Sequence, residues 1–353
     1  MSLSSKHDSY IPSLDGLRAV AVLIVVFSHV GLKGVMPGGF GVTIFFFLSG
    51  YLITTLLRRE LLRTGSISLK LFYLRRVLRI FPPMYIALAL AALLAAWASV
   101  SLSGSTLLMQ SIHLTNYHVA LGGTGEPPGS EVLWSLAVEE HFYLVFPLAF
   151  IVLSTHVREQ ARPYWLCVAC ACVLAWRIVL MSVLGGHAEY IMHATDTRID
   201  SILFGCALAL WRNPTLPDPK FSPRAIWIMV ALAVPVLAAT LIARDELFRE
   251  TARYTLQGVA LAPIFIAAIS FPAAWPFRIL NLRPVRWIGL LSYSLYLVHL
   301  PIIRFLETKF HLANVQLLVI SLVASLAVSA TIYLTVEVRC AELRRRLAHQ
   351  SAR

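Results

Sequence analysis

Residues Leu14–Val30 read LDGLRAVAVLIVVFSHV, an apolar segment long enough to cross a membrane as a helix. Arg18 stands near its start and His29 near its end, eleven positions apart. Eleven residues at about 100° each return a helix to nearly the same face, about 16 Å further along its axis. Ionisable groups at membrane depth are costly unless they face protein or a wet cavity, so this pair predicts a functional path. The alternative is that Arg18 snorkels to the nearer interface and His29 caps the far end.

The rest of the chain has the composition of a membrane protein. Of its 353 residues, 58% are hydrophobic and only 14% are charged, where a soluble domain carries about 25%. Repeated apolar stretches of about 20 residues predict an all-α fold, a polytopic transmembrane helix bundle of about ten spans. The predicted spans are 14–31, 39–57, 83–100, 133–153, 164–184, 198–212, 225–243, 254–273, 287–306 and 314–336.

Basic residues are distributed unequally between the predicted loops. With the N-terminus in the cytoplasm, 21 of the 30 Lys and Arg residues fall on the cytoplasmic side and 7 on the opposite side. Cytoplasmic loops carry the excess of Lys and Arg, so we predict that both termini are cytoplasmic. The net charge of +12 is therefore topological and does not indicate nucleic-acid binding. Residues 10–337 are predicted to form the membrane domain, followed by a basic cytoplasmic C-terminal tail at 338–353.

A cluster of arginines precedes the predicted third span. LKLFYLRRVLRIFPPMY places Arg75, Arg76 and Arg79 on an amphipathic turn just before two prolines. Arg76 and Arg79 are i and i+3, so their guanidinium groups can converge on one anion. Three arginines at a membrane entrance suit a polyphosphate better than a single carboxylate. The alternative is that they serve topology and anionic lipid headgroups.

The predicted fourth span carries carboxylates in an apolar helix. In EVLWSLAVEEHFYLVFP, Ser135, Glu139 and Tyr143 are spaced by four and share a face, with Trp134 at the interface. Glu139 and its neighbour Glu140 cannot both face lipid, so at least one points into the bundle. There it could orient an imidazole or accept a proton. The alternative is a glutamate buried in an ion pair with an arginine such as Arg177.

Other polar groups enter the remaining spans. HATDTRIDSILFG places Asp196, Arg198 and Asp200 at the outer start of the sixth span, either as a substrate site or as a local ion pair capping the helix. His299 in the ninth span is predicted to be a satisfied interhelical hydrogen-bond partner. GGFGVTIFFFLSGYLI supplies small residues that allow close helix approach around Gly50. No His or second Cys pair accompanies the single C-x-x-C at Cys167, so no metal is expected.

These segments together resemble the acyltransferase 3 family of integral-membrane acyltransferases. The resemblance runs from about Tyr10 to Glu337. The chain has Thr43 where an acidic residue often follows Gly-Val, and His141 where Gln is usual. The matching pieces, in family order, are R-x10-H formed by Arg18 and His29, FFFLSGYLI, RRVLRIFPPMY, WSLAVEEHFYL, DTRIDSILFG and LSYSLYLVHLPI.

The resemblance implies transfer of an acyl group, commonly acetyl, from cytoplasmic acyl-CoA to a hydroxyl of a carbohydrate or glycolipid at or beyond the membrane. His29 would then be the general base, Glu139 would fix its tautomer, and Arg18 would position the donor. The arginine cluster would hold the coenzyme's phosphates, and the bilayer would be that of a bacterial inner membrane. Residues expected to contact the acceptor are Trp134, Ser135, Tyr143, Asp196, Arg198 and Asp200.

Two other classes of membrane protein use intramembrane charges. A transporter or flippase for a lipid-linked or acylated substrate would use them as a permeation path, and a structural or sensory protein needs neither path nor base. A transporter needs no phosphate-binding cluster at its mouth and no positioned base. The arginine cluster and the histidine on one stripe therefore favour the enzyme.

Overall fold

The computed structural model of the chain describes residues 11–30, 36–310 and 312–350, with side chains as far as Leu347. Lys6, Lys33 and Arg353 of the predicted charge distribution, and Tyr10, lie outside these residues. The helices are α1 (Pro12–His29), α2 (Gly38–Thr64), α3 (Leu69–Trp97), α4 (Gly104–Ser111), α5 (Thr115–Ala120), α6 (Leu133–His156), α7 (Arg162–Ser182), α8 (Ala188–His193), α9 (Thr195–Trp211), α10 (Pro223–Ile242), α11 (Glu246–Glu250), α12 (Ala252–Ser270), α13 (Arg283–Lys309), α14 (Asn314–Ile332) and α15 (Val338–Gln350).

The predicted all-α polytopic class is confirmed. Nine helical segments among the described residues are long and apolar enough to cross a membrane, and the chain is a multi-pass integral membrane protein. The predicted sixth span corresponds to α9, a helix of 17 residues that is too short to be counted with these nine. Most of its residues are buried, and it packs against α2 and α7. It therefore belongs to the centre of the bundle.

Glycines set the closest helix contacts at this centre. A Cβ atom on Gly50 of α2 would lie 1.9 Å from a carbonyl oxygen of α9, and one on Gly205 of α9 would lie 2.0 Å from a carbonyl oxygen of α2. The α1–α13 contact is equally tight, because a Cβ on Gly289 would lie 1.9 Å from the Asp15 carbonyl oxygen. The predicted close approach around Gly50 is confirmed.

Helix α3 differs from its prediction. The predicted third span begins at residue 83, after a separate basic turn, whereas α3 runs without interruption from Leu69 to Trp97 with Pro82 and Pro83 inside it. Prolines are tolerated within a membrane helix where neighbours satisfy the freed backbone groups. Helix α13 contacts the backbone of α3 just before the prolines, where the Tyr293 hydroxyl donates to the Ile80 carbonyl at 2.7 Å. The arginines therefore extend from a rigid helix into the membrane domain.

The C-terminal helix also runs on past its predicted end. A single π-helical turn, Tyr333–Glu337, joins α14 to α15, and α15 packs against α3. The predicted boundary between membrane domain and tail, at 337/338, thus falls inside one helical rod. The cytoplasmic location of the termini stays a prediction. Residues 101–132, between the third and fourth predicted spans, contain the short helices α4 and α5.

Candidate active site

A cavity opens between α1, α2, α3, α6 and α13. It holds about 770 Å³, counting the space open to solvent. Helices distant in sequence each contribute polar side chains, and six of the predicted site residues meet here. The residues with side chains that carry the cavity's chemistry are Arg18, Ser49, Arg76, Arg79, Ser135, Glu139, Tyr143, Ser292, Tyr293 and Tyr296.

Glu139, rather than Glu140, faces this cavity. Ser49 donates to its Oε1 at 2.7 Å, and Tyr143 donates to its Oε2 at 3.2 Å. Tyr143, one helical turn further on, also donates to Ser49 at 3.1 Å. Glu140 lies on another face of α6, where its carboxylate is 3.9 Å from His113. The two adjacent carboxylates are therefore separated, and only Glu139 shares the cavity with the arginines.

The guanidinium groups of the three cavity arginines have no polar side-chain partner among the described residues. In residues 11–30, 36–310 and 312–347, Arg18, Arg76 and Arg79 form no ion pair or hydrogen bond with another side chain. Arg76 stacks at 5.5 Å over the ring of Tyr143. Arg75 is different, because it donates to Glu60 at 2.9 Å and does not line the cavity. The converging pair predicted from the i, i+3 spacing is thus Arg76 and Arg79, with Arg18 opposite.

His29 forms a pair with His299. Nδ1 of His299 lies 2.7 Å from the Tyr296 carbonyl oxygen and 3.2 Å from that of Leu295. A carbonyl only accepts, so we assign the proton to this nitrogen, and Nε2 of His299 is then an acceptor. Nε2 lies 3.1 Å from Nδ1 of His29, which donates to it. The basic lone pair of His29 is therefore on its Nε2.

Tyr296 connects the cavity to the histidine pair. Its side chain lines the cavity and shares a 2.6 Å hydrogen bond with Ser135, while its backbone holds His299. The ring of Tyr296 lies 5.8 Å from that of His299. Neither histidine lines the cavity itself. Tyr296 is thus the residue that the arginine cavity and the histidine pair share.

The predicted cluster of Asp196, Arg198 and Asp200 does not line the cavity. Arg177 and Asp200 form a fully buried ion pair at 2.7 Å, which replaces both the proposed Arg177–Glu139 pair and a local Arg198 pair. Arg198 is buried, 3.9 Å from the ring centre of Tyr254, and donates to Thr43 at 3.3 Å. Trp134, predicted at the interface, is buried too, with Arg198 5.7 Å over its ring.

Asp196 organises aromatic side chains near the short helices α5 and α8. It accepts hydrogen bonds from Trp176 at 2.7 Å, Tyr117 at 3.1 Å and Tyr190 at 3.1 Å. Burial and the Asp196 carboxylate raise the pKa of Tyr190 to about 12, so the phenol stays a hydrogen-bond donor at neutral pH. Three rings are therefore held in fixed orientations. In the described ranges, no group of three His, Cys, Asp or Glu side chains forms a metal site.

The sequence reasoning missed two residues beside the cavity. Ser294 donates to Glu337, and Glu337 lies within electrostatic range of Arg18, Arg79 and Arg344. An ionisable residue at the end of the last apolar span was a usable signal for Glu337. Arg344, by contrast, has the sequence context of a solvated basic tail.

The family relationships agree with this arrangement. Residues 11–334 match the model of the Acyl_transf_3 family, described as an acyltransferase domain. The chain is 30% identical over 309 residues to the peptidoglycan O-acetyltransferase OatA of Listeria monocytogenes, an alignment that covers 83% of this chain and 49% of OatA. It is 32% identical over 319 residues to YrhL of Bacillus subtilis, covering 85% and 49%. The chain spans about half the length of these relatives, and no solved structure matches it. The chain belongs to the Acyl_transf_3 family of membrane acyltransferase domains.

Proposed function

We propose that the chain is a membrane O-acetyltransferase that moves an acetyl group from cytoplasmic acyl-CoA to a hydroxyl of a cell-envelope carbohydrate. The proposal rests on one observation: helix α1 carries both an arginine of the cavity and a histidine of the histidine pair. Its first turns place Arg18 in a cavity with Arg76 and Arg79, and its last turn places His29 in a histidine pair. The name of the Listeria relative makes peptidoglycan the first acceptor to test.

The donor half of the proposal rests on the open arginines. Arg76 and Arg79 would bind the phosphates of acyl-CoA, because planar guanidinium groups suit bidentate phosphate contacts. The pantetheine arm would then lie in the cavity, with Arg18 near the thioester as a permanent cation. Glu139 would balance the charge of these arginines, since it lies in electrostatic range of Arg18 and Arg79. This orientation requires the N-terminus and the mouth at α3 to face the cytoplasm.

The acceptor half rests on His29. Its Nε2 would take the proton of the acceptor hydroxyl as the oxygen bonds to the acyl carbon and the carbon–sulfur bond breaks. The proton then passes to the leaving thiolate, which restores neutral imidazole. The role first given to Glu139, fixing the tautomer of His29, is assigned to His299 on the hydrogen bond that joins the two rings.

The residues that the sequence predicts to contact the acceptor fall into groups that differ in burial and position. Arg198, Asp200 and Trp134 are buried, and we propose that they support the outer part of the bundle. Asp196 with its aromatic partners would contact the sugar, because aromatic faces and fixed hydroxyls suit saccharides. Ser135 and Tyr143 line the donor cavity instead.

Acetyl transfer in reconstituted vesicles tests the proposal directly. Acetyl-CoA carrying a labelled acetyl group is supplied on the side of Arg76, and peptidoglycan fragments are supplied on the other side. We expect label in ester linkage to the fragments and free CoA on the donor side. A transporter or flippase would move a substrate across the bilayer without forming an ester, so movement of lipid-linked substrate without ester formation would favour that alternative.

Replacing His299 tests its positioning role. His299→Ala is expected to lower kcat about 10-fold with little change in the KM for the donor, the scale seen when an orienting partner of a functional histidine is lost. His299→Gln should recover most of the rate, because its amide oxygen accepts from His29 and its amide NH₂ donates to the Tyr296 carbonyl. Initial rates over a range of acetyl-CoA concentrations measure both parameters. A wild-type rate in His299→Ala would contradict the assignment.

A further inference from the structure

Helix α15 brings a fourth arginine within electrostatic range of two arginines that line the cavity. Arg344 is half-buried, while Arg345 and Arg346 beside it are exposed. Arg344 lies within electrostatic range of Arg76 and Arg79, both on α3. The helix belongs to residues that the family model, which ends at 334, does not cover. The basic tail thus has one arginine that faces the protein and two that face outward.

Two arginines of this group have a buried donor without a hydrogen-bond partner, although Glu337 lies within electrostatic range of Arg344. Nε of Arg344 and Nε of Arg76 are both buried without a hydrogen-bond acceptor in the described part of the chain. Buried N–H groups of a cation are costly unless an acceptor satisfies them. Arg79 lies close enough to repel both electrostatically. Like charges held together with open donors indicate the binding site of an anion.

The order of the arginines suggests which anion Arg344 meets. Arg18 is coupled electrostatically to Arg79, and Arg79 in turn to Arg344. Arg344 lies seven residues beyond Glu337 along the helical rod, about 10 Å further along its axis. An acyl-CoA lying with its thioester near Arg18 extends outward through its pyrophosphate to the 3′-phosphate of its ribose. Arg344, the arginine of this series furthest in coupling from Arg18, would therefore meet the phosphate furthest from the thioester.

We propose that Arg344 binds the 3′-phosphate of the acyl-CoA donor, so that the C-terminal helix completes the donor site. The proposal rests on the proposed function, because it takes acyl-CoA as the donor. The π-helical turn at Tyr333–Glu337 sets the rotation of α15 after the last apolar span. π-Helical turns of this kind are frequent at functional sites. Helix α15 is thus part of the binding machinery in addition to any topological role.

Binding of two donor probes to the purified chain in neutral detergent tests this assignment. Arg344→Ala is expected to weaken acetyl-CoA binding about 10-fold, and to change binding of 3′-dephospho-acetyl-CoA less than about 2-fold. Arg344→Lys should recover part of the loss by keeping the charge. Arg345→Ala removes the same charge from the exposed face of the same helix and should bind both probes as the wild type does.

The outcomes separate this inference from the proposed function. Wild-type affinity of Arg344→Ala for acetyl-CoA, or an equal loss for both probes, would overturn the assignment to the 3′-phosphate and leave the enzyme intact. Failure of the wild type to bind acetyl-CoA at all would overturn the donor and this inference together. An anionic lipid is the other source of phosphate. If phosphatidylglycerol in nanodiscs weakened acetyl-CoA binding in the wild type but not in Arg344→Ala, Arg344 would be a lipid contact and the assignment would fail.

Discussion

Replacing His29 by alanine is expected to reduce acetyl transfer by about 100-fold or more, the range of a positioned general base. The structure gives the reason, because His299 fixes the proton on Nδ1 of His29 and leaves Nε2 as the basic nitrogen. Donor affinity should stay near the wild-type value, since the open arginines lie on other helices or near the start of α1. Rates of transfer and the Kd for acetyl-CoA, measured on the same preparation, test both statements.

His29→Gln distinguishes a base from a helix cap. Glutamine keeps a hydrogen-bonding side chain of moderate size but does not take a proton at neutral pH. It should therefore be as inactive as alanine. A glutamine variant with most of the wild-type activity would show that His29 only caps the helix end, and the general-base mechanism would have to be abandoned.

Removing Arg76 and Arg79 together is expected to weaken acyl-CoA binding by about 2–4 kcal/mol, at about 1–2 kcal/mol per charge-assisted contact. That corresponds to a loss of about 30- to 900-fold in affinity. Both guanidinium groups line the cavity and neither forms an ion pair within the described residues, so no internal salt bridge is broken by the change. Isothermal titration with acetyl-CoA measures the effect.

Arg75→Ala is the matched control for this pair. Arg75 belongs to the same helical turn, but its guanidinium donates to Glu60 and lies outside the cavity. Its loss should leave donor affinity within about 2-fold of the wild type, at the small cost expected of a partly exposed ion pair. The double variant keeps five basic residues in that segment, so its insertion should survive. Unchanged binding in a correctly inserted double variant would return the cluster to a purely topological role.

The fold was largely predictable because a membrane-spanning helix can be recognised from the local amino-acid composition. Long apolar stretches favour helices, and each of the ten predicted spans overlaps an observed helix. What the sequence did not predict, a helix boundary and the place of a short helix, depends on tertiary contacts. Pro82 and Pro83 read locally as a helix boundary, yet α3 continues through them beside a hydroxyl donated by Tyr293. The short α9 is embedded in the bundle by glycine contacts with α2.

The candidate site was predictable only where one helix carries its own pattern. Spacing along α3 and α6 identified Arg76, Arg79, Glu139 and Tyr143, which do meet in the cavity. Pairings between distant helices carry no such local signature. The sequence predicts an interhelical hydrogen bond for His299, but it does not identify His29, 270 positions away, as the partner.

The same limit applies to the outer cluster and the tail. Arg177 lies in an apolar helix, and the sequence offers several carboxylates as possible partners. The packing of α7 against α9 brings Asp200, rather than another carboxylate, to Arg177. The run of arginines at 344–346 looks uniform, and only the rotation of α15 separates Arg344 from its neighbours.

Helix α2 carries Ser49 on the cavity side and Thr43 beside Arg198, so it spans both polar regions of the protein. At Gly50 and Gly205 its backbone lies so close to that of α9 that a side chain on either glycine would overlap the other helix. The contact therefore fixes the separation of the two regions. Under the proposed function, this separation would set the distance between the donor cavity and the outer polar cluster.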